Sequence, residues 1–236
     1  MNKFINNIKN INIELSENQL NAFQKYYEML VEKNKVMNLT AITDYQEVLT
    51  KHFLDSLTLV KVIDISKIDS VIDVGTGGGF PGVPLKIAFP HLKITLLDSL
   101  NKRVNWLNEL IKELELKDIL AIHGRAEEYG QNPKYREQYD LCVSRAVANL
   151  STLTEYCVPF VKRDGYFVSY KAATANEELK EAARAIEVLG GKLDNVCSFN
   201  LENTDMERNL IKIKKIENTS KKYPRKAGLP SKEPIK

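Results

Sequence analysis

Long apolar runs are missing from this 236-residue chain. None approaches the roughly 20 residues that a membrane-spanning helix requires. The first residues, Met1 to Asn7, are too polar for a secretory leader, so a cytoplasmic protein is expected. Cysteine is scarce: Cys142, Cys157 and Cys197 lie far apart with no C-x-x-C pair, which supports neither a disulfide framework nor a zinc site. Buried, reduced thiols are the simpler expectation. His52, His91 and His123 show no ligand spacing either, and no metal is expected. There is no Gly-x-x-x-x-Gly-Lys-Ser/Thr, which excludes a phosphate-gripping P-loop. Internal repeats and low-complexity tracts are absent as well.

What is present is an ordinary globular composition, 43% hydrophobic and 28% charged, with enough chain for one medium α/β domain and an appendage. The net charge of +3 is unevenly spread. From Lys212 onward nine basic residues face only Glu217 and Glu233, which gives +7 there and −4 for the rest. A basic terminus suits a polyanionic partner, and it equally suits a solvated tail.

Three regions follow from the patterning. Residues 1–66 read as helical: Ser16 to Gln19 fits a capping box, Leu20, Phe23, Tyr27, Leu30 and Val31 recur at helical spacing, and a second helix is expected over 46–62. Residues 67–217 form the main domain. There strands are expected at 71–74, 93–97, 119–123, 140–144 and 166–171, with helices at 83–89, 101–115, 150–160 and 175–189. This alternation implies βαβ crossovers and a parallel sheet covered on both faces. The last two strands, 193–199 and 208–216, have only a polar turn between them and should form an antiparallel hairpin. Residues 218–236 are the basic tail.

The most informative stretch runs from Val71 to Gly82. A β-branched run ends at Asp73-Val74, and four glycines follow at 75, 77, 78 and 79. Glycine reaches φ > 0 and has no Cβ to hold a ligand away, so this is a nucleotide-type loop at the carboxyl end of a strand. Gly77 to Gly82 is literally G-x-G-x-x-G, a weak pattern alone that keeps an NAD-dependent oxidoreductase in play. Against it stand Asp73 ahead of the glycines, Pro81 inside the match and the lack of a hydride-transfer pair. Asp73-Val74-Gly75-Thr76-Gly77-Gly78-Gly79 instead looks like the D-x-G-x-G-x-G loop of class I S-adenosylmethionine-dependent methyltransferases. An acid beside the loop complements the donor's ammonium and sulfonium, whereas it would repel a pyrophosphate. The next strand ends at Asp98, whose carboxylate can accept from both ribose hydroxyls or can cap the helix beginning near Asn101. After the third strand, Ala126 and Glu127 are candidates for the adenine, although Glu127 and Glu128 equally read as solvated charges. The fold expected is therefore a Rossmann-like α/β sheet of seven strands, mostly parallel with one antiparallel, plus the helical N-terminal extension.

The acceptor is less legible. At the end of the fourth strand there is no Asp/Asn-Pro-Pro-aromatic sequence for amino methylation, and neither Cys142 nor Cys157 looks like the nucleophile that carbon methylation requires. A purine N7 already carries an in-plane lone pair, so its enzyme needs positioning more than a base. The lack of a recognisable acid or base agrees with that chemistry, and also with a non-catalytic RNA-binding or ribosome assembly factor.

Several ordered motifs together resemble one family, the bacterial 16S rRNA guanine-N7 methyltransferases (RsmG, also called glucose-inhibited division protein B). They are Asn38 to Ile42, His52-Phe53-Leu54-Asp55-Ser56, Asp73 to Gly82, Asp98 to Arg103, Arg125-Ala126-Glu127, Ser144-Arg145-Ala146-Val147-Ala148 and Lys222-Tyr223-Pro224-Arg225-Lys226-Ala227-Gly228. The resemblance implies a monomer using S-adenosylmethionine to methylate a guanine in the 530 loop of 16S rRNA, free or in the small ribosomal subunit. It places Asp73, Gly75 and Phe80 at the donor pocket, Asp98, Ser99 and Leu100 around the ribose, Ala126 and Glu127 beside the adenine, and Arg145 near the reacting centre. Phe80 as a core residue and Arg145 in a structural ion pair remain open. In the tail, Lys222, Arg225 and Lys226 are expected to hold phosphates, with Tyr223 free to stack on a base.

Overall fold

The computed structural model describes residues 1–145, 148–172 and 175–236, without the side chains of 175 and 176. Ala146 and Val147 of the fourth-strand motif lie outside the described residues.

The N-terminal region begins with α1 (Asn2–Lys9), a helix that the apolar periodicity does not separate out, and continues into α2 (Glu17–Met37). The capping box forms as expected: Gln19 N–H donates to Ser16 Oγ at 3.3 Å and Ser16 N–H donates to Gln19 Oε1 at 2.8 Å. The second expected helix is wound unevenly, as α3 (Tyr45–Val48), a π-helical turn over Leu49–Leu54, α4 (Asp55–Leu57) and a 3-10 turn at Thr58–Lys61. Such π turns concentrate at functional sites.

The main domain runs β1 (Ser70–Val74), α5 (Gly82–Ala88), β2 (Lys93–Asp98), α6 (Asn101–Glu113), β3 (Ile119–His123), α7 (Ala126–Tyr129), β4 (Tyr139–Arg145), α8 (Leu150–Cys157), β5 (Val161–Lys171), α9 (Ala175–Val188), β6 (Gly191–Asn200) and β7 (Glu207–Lys215), and the chain ends with α10 (Leu229–Lys232). The seven strands lie in the order β3-β2-β1-β4-β5-β7-β6. All neighbours are parallel except β7, which runs antiparallel to both β5 and β6. The hairpin therefore folds back, placing the one reversed strand inside the sheet rather than at its edge. Strand order reverses direction between β1 and β4, the switch point where ligands collect in such sheets.

Alternating strand residues divide the core in two. Val71, Ile94, Leu96, Leu141, Val143 and Val168 face α5, α6 and the N-terminal helices, which contribute Phe4, Phe23, Leu30, Phe53, Leu107 and Leu110. Ile72, Val74, Leu97 and Cys142 face the opposite layer with Leu153, Cys157, Ala182 and Ala185. The N-terminal region is thus the missing part of one helical layer, packed in a core continuous with the sheet. Gln19 fixes it there, donating from Nε2 to the last carbonyls of α5, Ile87 and Ala88, at 2.8 and 3.0 Å.

Candidate functional site

The glycine loop is held by two buried carboxylates. Gly75, Gly77 and Gly79 adopt φ of 73°, 58° and 103°, which a side chain would strain. Asp73 is fully buried, and its Oδ2 accepts from Thr76 Oγ1 at 2.7 Å and from Gly82 N–H at 2.8 Å. Its Oδ1 is buried without a hydrogen-bond partner, and burial raises the carboxyl pKa to about 7. Gly82 has no room for a side chain: a Cβ would stand 2.3 Å from Leu96 Cδ2 and 2.9 Å from Asp73 Oδ2. Asp98 accepts from Gly77 N–H and Leu100 N–H, each at 2.9 Å, with Arg103 at 3.5 Å. It thereby ties the loop to Leu100, the residue at the N-cap of α6, and is not itself the helix cap. From the N-terminal layer, Tyr26 donates to Gly78 C=O at 2.7 Å.

Beside this loop lies an open cleft of about 130 Å³, lined by Val74, Gly75, Leu97, Ser99, Gly124, Arg125, Ala126, Glu127 and Tyr156. It occupies the carboxyl ends of β1, β2 and β3. Of the residues expected at the donor, Gly75, Ser99, Ala126 and Glu127 line this cleft; Asp73, Asp98 and Leu100 are outside its lining, the two acids buried beneath the glycine loop and Leu100 exposed. Its apolar floor, Val74 and Leu97, and the aromatic Tyr156 suit a flat heterocycle. Tyr156 comes from α8, and nothing local in sequence marks it. Glu127 is buried, not solvated, and its Oε1 accepts from Gly228 N–H at 2.8 Å.

Phe80 does not line the cleft. It is 6% exposed and stacks between Tyr26 and His52, with ring centroids 5.5 and 4.6 Å away. The guanidinium of Arg145 sits 4.8 Å from the Phe80 ring centre. Arg145 pairs with Asp55 Oδ2 at 2.9 Å, and Arg208 pairs with the other oxygen of Asp55, also at 2.9 Å. Arg145 also approaches His52 Nδ1 at 3.3 Å, and His52 Nε2 lies 2.7 Å from Thr40 Oγ1. Burial, with Arg145 adding to it, lowers the His52 pKa to about 3, so the ring is neutral at pH 7.

These residues form a second pocket, about 430 Å³, lined by Ile42, Lys51, His52, Asp55, Arg145, Tyr170, Lys171, Ala172, Met206 and Arg208. It sits at the carboxyl ends of β4 and β5 and at the start of β7, on the other side of the switch point from the cleft. Four cations and one carboxylate stand among its walls, and two of the cations, Lys51 and Lys171, also pair with Glu47 and Glu178 outside the lining. Lys51, Lys171 and Arg208 carry no mark in the sequence, because only the fold brings them together.

Of the basic residues from 212 onward, Lys212, Lys214 and Lys215 belong to β7 and pair with Asp194, Asp164 and Glu137 at 2.9, 3.3 and 3.2 Å. The tail beyond β7 is docked rather than free. Arg225 grips Glu155, itself 1% exposed, through Nε and Nη2 at 2.7 to 3.1 Å. Tyr223 packs against the second core, and Lys222 lies 5.1 Å over its ring. Lys221, Lys222 and Lys226 remain exposed. Among the described residues no group of His, Cys, Asp and Glu is placed to hold a metal, and no helix is long and apolar enough to cross a membrane.

A doubly wound sheet with this strand order, reversed at β7, and a glycine loop tied by an acid at each of the first two strand ends define a Rossmann-like methyltransferase. Among solved structures, the mitomycin 7-O-methyltransferase MmcR shares the fold, with a TM-score of 0.57 at 16% identity over 80% of this chain and 60% of that one. The family model for rRNA small subunit methyltransferase G, GidB, matches residues 19–211. Two proteins named ribosomal RNA small subunit methyltransferase G are similar over nearly the whole length. That of Lachnoclostridium phytofermentans is 53% identical, covering 98% of this chain and 96% of its own. That of Lysinibacillus sphaericus is 54% identical, covering 99% and 98%. The chain belongs to the rRNA small subunit methyltransferase G family, and the oxidoreductase alternative falls away.

Proposed function

We propose that the protein transfers a methyl group from S-adenosylmethionine to N7 of a guanine in the 530 loop of 16S rRNA. The observation that carries this reading is the pair of recesses astride the switch point: a small, partly apolar cleft beside the glycine loop and a larger cationic pocket beyond it. The donor's adenosine fits the cleft, with the adenine between Ala126, Glu127 and Tyr156. A carboxylate has about four acceptor sites, so the two backbone amides on Asp98 leave capacity for ribose hydroxyls. The unpartnered Asp73 Oδ1 favours a cation nearby. When bound, the donor would supply a methyl carbon on its sulfonium; the guanine N7 lone pair would form a nitrogen–carbon bond to it as the carbon–sulfur bond breaks, releasing the neutral thioether S-adenosylhomocysteine.

In the cationic pocket, Ile42, Tyr170 and Met206 offer apolar area for a base, while Lys51, Lys171 and Arg208 meet phosphate and sugar. Asp55 bridges Arg145 and Arg208 by accepting from both, which offsets the repulsion between the two cations. His52 is neutral and has both nitrogens engaged, so it orients Arg145 rather than taking a proton. Methylation at guanine N7 removes no proton from the base, and a pocket built for positioning suffices. Replacing the target guanine by 7-deazaguanine in reconstituted rRNA tests the choice of atom. Binding should persist while methyl incorporation vanishes, and undiminished incorporation would exclude N7.

A further inference from the structure

The C-terminal segment, whose charge suggests an arm for RNA, is packed behind the elements that form the wall of the donor cleft. Arg136 donates to Gly130 C=O and Tyr223 C=O at 2.8 and 2.7 Å, and also reaches Thr219 C=O and Ser220 C=O at 2.5 and 3.2 Å. Gln131 Nε2 donates to Lys221 C=O at 3.1 Å and to Pro224 C=O at 2.8 Å. Further along, Thr152 Oγ1 donates to Pro230 C=O at 3.0 Å and Ser151 Oγ to Ile235 C=O at 2.5 Å. The segment therefore straddles two elements, the loop from α7 to β4 and helix α8. Residues from α7 and α8 also supply Ala126, Glu127 and Tyr156 to the cleft, yet no residue of 218–236 lines it.

One contact connects the segment to a cleft residue directly: Gly228 N–H donates to Glu127 Oε1 at 2.8 Å. Ser231 Oγ in turn donates to Gly228 C=O at 3.0 Å and braces the turn that presents this amide. Helix α7 is a single turn of four residues, too short to hold its own geometry in water. The buried Glu127 carboxylate needs a donor, and a charge-assisted bond to a backbone N–H fixes where its side chain lies. We propose that residues 218–236 are a positioning clamp for donor binding, acting through Gly228 on Glu127, with Ser231 bracing the Gly228 turn. The inference rests on the donor occupying this cleft.

Two substitutions test it without touching the lining. Gly228 has φ of 82°, and nothing lies within 4 Å of where a Cβ would stand, so Gly228→Ala strains the backbone at the contact without overlap. Ser231→Ala removes, from an exposed position, the hydroxyl that donates to Gly228 C=O and so loosens the turn presenting the Gly228 amide; it carries the test if the first variant does not fold. Donor affinity by calorimetry, rRNA affinity by filter binding and melting temperature are measured on full-length protein. Each variant should bind S-adenosylmethionine about five- to tenfold more weakly, with rRNA affinity within about twofold of wild type. Because coupling is reciprocal, saturating donor should also slow amide exchange at Gly228 in the wild type. Unchanged donor affinity in the folded variants would overturn the clamp, as would a loss confined to rRNA binding, which is the signature of an RNA arm. Absence of donor binding by the wild type would instead remove the cleft assignment beneath it.

Discussion

Asp73 and Asp98 show how far single residues are legible in the sequence. Their positions at two strand ends mark them, but their partners belong to the loop fold: Thr76, Gly82, Gly77 and Leu100. Asp98→Ala strips two amides of their acceptor and should lower stability by about 1–3 kcal/mol or more, with weaker donor binding alongside. Calorimetry and thermal melting together check it, and wild-type values in both would remove Asp98 from the site. The pKa of Asp73, raised to about 7 from 3.8, gives a defined pH slope. Between those values the folded protein keeps a proton that the unfolded chain has lost, so this group's contribution falls as pH rises from 3.8 to 7. His52, lowered from 6.5 to about 3, works in the opposite sense: its contribution is lost as pH falls below 6.5. Asp73→Asn should therefore gain melting temperature relative to wild type between pH 5 and pH 7, and a pH-independent difference would contradict the shift. Separate motifs mark Phe80, Arg145, His52 and Asp55, but not that these residues meet. Asp55 lies 90 residues from Arg145, a pairing that no local pattern announces.

Elements are legible where apolar periodicity is strong. Every strand shows in the sequence pattern, with ends displaced by a few residues, because alternating burial writes itself into sequence. Helix α1 escapes it, since eight residues with few apolar positions give little period to find. The π turn at Leu49–Leu54 has the sequence signature of plain helix, since its apolar spacing resembles 3.6-residue winding; within it His52 meets Phe80 and Arg145, contacts that local sequence does not encode. The tail's charge suggests a free arm, because charge counts do not reveal partners. Arg225→Ala leaves the buried Glu155 uncompensated and should cost about 3–5 kcal/mol by denaturant unfolding. Adding Glu155→Gln should recover much of that loss. If the double variant is no more stable than the single, the ion pair is not what docks the segment.

At the scale of the whole molecule, the N-terminal helices, the sheet and the C-terminal segment converge on one sheet end. Tyr26 reaches the glycine loop from α2, His52 and Asp55 come from the irregular turns, and Gly228 closes on Glu127 from the far end of the chain. If the cationic pocket meets the rRNA backbone, Lys51→Ala and Arg208→Ala should each weaken rRNA binding and lower its salt slope by about 1, leaving donor affinity intact. Equal slopes for wild type and variants would move the RNA contact elsewhere. The most direct measurement is transfer of labelled methyl from S-adenosylmethionine onto unmethylated 16S rRNA and onto small ribosomal subunits, followed by mapping of the modified base. The expected result is N7-methylguanine at one guanine of the 530 loop on at least one substrate; label at any other atom or position, or on neither substrate, would contradict the assignment.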